Sequence, residues 1–131
     1  MVHFENSYQF GKKAEKEIIP ILTDFFKREI KEYTERFSKF DFYDEIYNYE
    51  LKTRTNSYKR FPTTMITENK IAGEKKQIFI FNFTDGIYYI EYDKELFDTF
   101  EKQQFSRAGI KSDEKSHIYI DINYLKPILS K

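Results

Sequence analysis

The chain has no cysteine and no tryptophan, only four glycines and three prolines, and no excess of either charge. Without cysteine there is no disulfide staple, no thiolate zinc site and no cysteine nucleophile. The same absence fits a reducing, intracellular setting, which we read as cytoplasmic. Lys and Arg together number 22, as do Asp and Glu. No global positive field therefore draws in nucleic acid, and any basic surface has to be local. Gly and Pro are too scarce for a long flexible linker, and no Gly-rich phosphate loop is present. No stretch approaches the ~18 uncharged apolar residues of a membrane-spanning helix. The first residues, Met1 to Gly11, lack the apolar run of a signal peptide. His3 and His117 have no companion histidine at ligand spacing, so zinc is not indicated.

What is present is an aromatic-rich core. Fourteen Phe and eleven Tyr fall within 131 residues, a length that suits one domain spanning 1–131. Residues from about Ser7 to Phe37 read as helix, with Ile18, Ile19, Ile21, Leu22, Phe25 and Phe26 recurring at helical spacing. Pro20 should kink that helix or divide it. Glu15 shares the apolar face with Ile18, Ile19 and Leu22, beside the small residues Gly11 and Ala14. A carboxylate aimed at a core needs a partner there.

Lys39 to Asp44 and Tyr47 to Thr55 read as two strands joined by a tight acidic turn, with Thr63 to Thr67 a short further strand. Gln77 to Phe83 and Ile87 to Tyr92 flank the turn signal Thr84-Asp85-Gly86. Asp93 could cap a second helix running to about Arg107 and ended by Gly109, before a last strand at His117 to Ile122. Leu125, Pro127 and Ile128 close the chain. The expected class is α/β, a central mixed sheet flanked by helices.

The candidate chemistry lies on the first two strands. Side chains alternate along a strand, so Glu50 and Lys52 face the same way, roughly 7 Å apart. A hairpin can bring Asp41 beside them. Two carboxylates and an ammonium on one side of a sheet are costly as mere core. They make sense as a divalent-metal site that cuts phosphodiesters. Glu50 and Lys52 also fit a solvated ion pair on a half-exposed sheet. Asp44 competes with Asp41 for the metal role. We favour Asp41, since Asp44 falls in the turn. Acidic-x-Lys triplets recur at Glu29-Ile30-Lys31, Glu68-Asn69-Lys70, Glu74-Lys75-Lys76 and Asp113-Glu114-Lys115. Only Glu50-Leu51-Lys52 lies in an aromatic strand with an aspartate nine residues earlier.

On these residues the chain resembles the PD-(D/E)XK nuclease superfamily. The matching pieces are Gly11-Lys12-Lys13-Ala14-Glu15, Phe40-Asp41 and Glu50-Leu51-Lys52. The order of elements is similar to that superfamily's restriction-endonuclease-like core (αβββαβ), with an extra hairpin strand. Phe40 stands where a proline often precedes the aspartate, and Gln103 is followed four residues on by Arg107, not by the tyrosine of some relatives. The resemblance implies a Mg²⁺-dependent endonuclease, with Mn²⁺ as a substitute. Asp41, Glu50, the Leu51 carbonyl and Glu15 would serve the metal, and Lys52 would assist the attacking water. It implies duplex or branched DNA as substrate. Cutting two strands would require two sites, which a homodimer would provide. Arg54, Asn56, Lys59, Arg60 and Lys70 are phosphate-binding residue types and form the expected DNA contact segment. The alternative is a catalytically inactive module on the same fold that binds nucleic acid or protein.

Overall fold

The computed structural model describes residues 15–35, 38–71, 73, 75–105 and 115–131. It is a mixed α/β structure whose body is mostly sheet. A helix over residues 15–26 (α1) comes first. Strands follow at Lys31–Glu32 (β1), Phe42–Tyr43 (β2), Tyr47–Thr53 (β3), Thr63–Thr67 (β4), Lys76–Phe83 (β5) and Gly86–Glu91 (β6). A single helical turn at Lys94–Phe97 (α2) precedes Glu101–Phe105 (β7), Lys115–Asp121 (β8) and Lys126–Ser130 (β9). Among the described residues the strands form a six-stranded sheet in the order β1-β2-β3-β5-β6-β9 and a three-stranded sheet in the order β4-β8-β7.

The core explains this layering. In β5, Ile78 and Ile80 join Ile18, Leu22, Phe42 and Tyr49 in one buried cluster. Its Phe79, Phe81 and Phe83 join Ile66, Ile118 and Ile120 in another. Alternation along a strand thus sends Ile toward α1 and Phe toward the smaller sheet. A strand buried on both faces reads as a continuous apolar run, and Ile78–Phe81 within β5 does. β3 pairs parallel with β5, and β5 pairs antiparallel with β6 through the two-residue turn Thr84-Asp85. Gly86 follows it. A Cβ there would meet the Leu129 carbonyl oxygen at 3.0 Å, so β9 can lie close only beside glycine.

Two expectations about helices are corrected. The first helix does not run to Phe37. The described helix stops at residue 26, Lys27 turns left-handed at φ 56°, and β1 pairs with β2. The apolar stripe continues through Ile30, but contacts distant in sequence decide the backbone. Arg28 reaches Asp44, and the Tyr33 amide donates to the Asp41 carbonyl at 3.0 Å. Helical character continues through Pro20, which is exposed. The helix expected over Asp93 to Arg107 is one turn. Asp93 caps it by accepting from the Glu95 amide at 3.0 Å. Phe97 and Phe100 then both enter the core, and Glu101–Phe105 becomes a strand because β8 offers it a ladder. The start of the first helix, with Gly11 and Ala14, and the stop at Gly109 fall outside the described residues.

Candidate metal and phosphodiester site

The antiparallel ladder between β2 and β3 ends at the pair Phe42 and Tyr49. Just past it, the Asp41 amide donates to the Tyr49 carbonyl at 3.0 Å. Asp41 Oδ2 accepts from the Leu51 amide at 2.7 Å. A carboxylate thus stands where a strand carbonyl would continue the ladder, flanking Glu50. Tyr47, Tyr49 and Leu51 pack toward α1. Glu50 and Lys52, alternating with them, therefore face the other side of the sheet, in register with Phe79 and Phe81.

Glu50 is only 5% exposed. Lys52 Nζ lies 3.3 Å and Lys70 Nζ 3.5 Å from the same oxygen, Oε1. Oε2 is buried with no hydrogen-bond partner. Burial holds the Glu50 carboxyl above its ordinary range, and the nearby Asp41 charge pushes the same way. The two ammoniums oppose both effects. Two carboxylates repel here, and one buried oxygen is unsatisfied. That donor set fits a hard divalent cation, which is commonly held by one or two carboxylates, with waters and substrate phosphate completing its shell. Among the described residues no group of three or more His, Asp or Glu side chains is arranged for a metal. A cation here would rest on two side-chain carboxylates.

Glu15 belongs to the helix that covers the opposite face of the sheet from Glu50. It is half-buried at the start of α1, and Ile18 and Leu22 of that helix pack on the Tyr49 side of the sheet. The charges that act most on Glu50 are Asp41, Lys52 and Lys70. Asp44, the competing aspartate, is fully employed elsewhere. Its Oδ1 accepts from the Ile46 and Tyr47 amides, both at 2.7 Å, and its Oδ2 accepts from Arg28 Nε at 2.6 Å and from the Tyr49 hydroxyl. These bonds outweigh burial and lower its pKa to about 2. The same carboxylate and burial raise the Tyr49 phenol. Asp44 is a turn lock.

The expected DNA-contact residues divide. Lys59 and Arg60 are exposed, and Arg60 lies over the Phe61 ring at 5.3 Å. Arg54 is turned inward: its Nε donates to Thr64 Oγ1 at 3.1 Å, another nitrogen donates to the Met65 carbonyl, and it lies over Phe81. Arg54 clamps the two sheets together. Asn56 Nδ2 donates to the Ser57 carbonyl and the Asn56 carbonyl accepts from Thr84, so it shapes its loop. Lys70 belongs to the Glu50 cluster, which its sequence position did not reveal. It follows β4 in a 3-10 turn, Glu68–Lys70, and only the meeting of the two sheets delivers it. The Arg28–Asp44–Tyr49 network was equally hidden, although an aspartate opening a turn was legible.

Comparison with protein-family models, with curated proteins and with solved structures finds no match. The geometry of the site therefore carries the functional reading alone. No helix among the described residues is long and apolar enough to cross a membrane.

Proposed function

We propose that this chain is a Mg²⁺-dependent endonuclease that hydrolyses phosphodiester bonds in DNA, built on a restriction-endonuclease-like core. The observation that carries the reading is the buried Glu50 carboxylate, with Oε2 unsatisfied, set beside Asp41 and Lys52 at the open end of a β-hairpin. Asp41 and Glu50 would hold the cation, with the Leu51 carbonyl on the same strand as a further oxygen donor. When bound, Mg²⁺ would make a water nucleophilic and offset phosphate charge. Lys52 keeps a positive charge at Glu50 Oε1. From there its Nζ can donate to a water or to a phosphate oxygen, orienting the first and stabilising charge on the second. The cluster opposite α1 lies against Phe79 and Phe81, whose burial limits bulk water. This core does not require Glu15.

The hairpin followed by parallel β5 supports a core of that type, while the one-turn α2 departs from it. Exposed Lys59 and Arg60 can contact phosphates. Cleavage of both strands would use two copies of the chain. The test is nicking or linearisation of plasmid and branched DNA with Mg²⁺ or Mn²⁺, expected for the wild-type chain and reduced about a hundredfold or more for Lys52→Ala. A second reading is a binding module on the same fold, since Lys52 and Lys70 already pair with Glu50 Oε1. A binding module would hold DNA in EDTA and after Lys52→Ala, and would cut no form of it.

A further inference from the structure

The residue that the hydrolytic chemistry does not use is Lys70. It reaches Glu50 from the other sheet, and two internal bonds fix it there. Lys70 Nζ donates to the Lys39 carbonyl at 2.9 Å. The Lys70 carbonyl accepts from the side chain of Gln77, a buried residue of β5. Its ammonium thus rests 3.5 Å from Glu50 Oε1, on the oxygen that Lys52 also approaches. Asp41 and Glu50 carry two negative charges, and Lys52 and Lys70 two positive ones. The cluster is neutral with no cation bound.

We propose that Lys70 is an internal counter-ion that occupies the cation's electrostatic place at Glu50 and sets how weakly the site takes up a divalent metal. The inference rests on the nuclease reading and adds a regulatory element to it. A cation on Glu50 and an ammonium 3.5 Å from Oε1 repel, and the burial of the Glu50 carboxylate weakens the screening between them. Uptake must therefore swing the Lys70 ammonium away from Oε1, while the Lys39 carbonyl it already bonds can keep hold of it. Lys52 sits on the same strand as Glu50 and must stay for the chemistry. Lys70 sits on a separate turn and can withdraw. A negatively charged phosphate arriving with the metal would restore the balance. Metal and DNA should then bind cooperatively, and the site should remain poorly loaded until substrate arrives. Lys70 acts here as a positioning residue.

The test is Mn²⁺ binding by calorimetry at pH 8, without DNA, on the full chain. Lys70→Met should bind Mn²⁺ about tenfold more tightly than wild type, because one nearby positive charge is gone. Lys70→Gln should do the same while keeping a donor for the Lys39 carbonyl, and it serves if the Met variant folds poorly. Lys70→Arg should keep the wild-type affinity. Wild-type binding with equal or weaker affinity in both neutral variants would overturn the counter-ion role and leave the nuclease reading standing. No Mn²⁺ binding by wild type or by either neutral variant would overturn both.

Discussion

Two carboxylates flank the same hairpin and live in opposite circumstances. Asp44 is 6% exposed and Glu50 is 5% exposed, so burial does not separate them. Partners do. Asp44 receives two amides, a guanidinium and a phenol, and its pKa falls to about 2. Glu50 has two ammoniums crowded on one oxygen, nothing on the other, and a neighbouring acid; its pKa rises. The lesson is about use. A buried charge satisfied on every lone pair stabilises a turn, whereas one left partly unsatisfied beside a like charge is poised for a ligand.

Several substitutions would break or sharpen this contrast. The largest effect should be on catalysis. Lys52→Ala should lower the cleavage rate by about 10²- to 10³-fold, the loss typical of one charge-stabilising donor. Next is Asp44→Asn. It removes a charge that Arg28, Tyr49 and two amides are arranged around, and it should cost about 2–3 kcal/mol in denaturant unfolding. The pH dependence has a defined sign. Because the Asp44 pKa is lowered in the folded protein, its contribution is complete above the ordinary carboxylate value of 3.8 and is lost as pH falls toward about 2. Asp44→Asn should flatten that part of an acid-unfolding curve.

Comparable in size is the metal effect on stability. Mn²⁺ well above its dissociation constant should raise the wild-type melting temperature by several degrees, about 2.7 kcal/mol at a hundredfold excess. Glu50→Gln should remove most of that shift. Smallest, and opposite in sign to Asp44→Asn, is the effect of Glu50→Gln without metal. The raised Glu50 pKa means that ionising it disfavours the folded state as pH climbs above the ordinary glutamate value of 4.5. Removing the charge should therefore stabilise the metal-free protein slightly near neutral pH, read as a small rise in melting temperature. A loss of stability of Asp44 size would mean that Glu50 is a structural ion pair and that the contrast does not hold.

Much of the sheet was legible because alternation and turn chemistry are local. Thr63–Thr67 and the Thr84-Asp85 turn lie where the residues suggest. Asp41, Glu50 and Lys52 could be brought together on paper because a hairpin has short range. Helix lengths were not legible. Ile30 and Phe100 keep helical spacing in a chain that β2 and β8 draw into strands. Arg54 and Lys70 both looked like DNA-contact cations. Their roles depend on a second sheet packing over β3 and β5, which no local pattern encodes. The helical stripe of α1 was read, but not which face of the sheet its Ile18 and Leu22 cover.

The central claim is that Asp41 and Glu50 share one divalent cation. The most direct measurement is anomalous scattering from a crystal soaked in Mn²⁺. The account predicts a single ion about 2.1–2.3 Å from oxygens of both carboxylates, with Lys70 drawn back from Glu50. Glu50 still bridged by Lys52 and Lys70, with Mn²⁺ absent from Asp41 at saturating concentration, would contradict it.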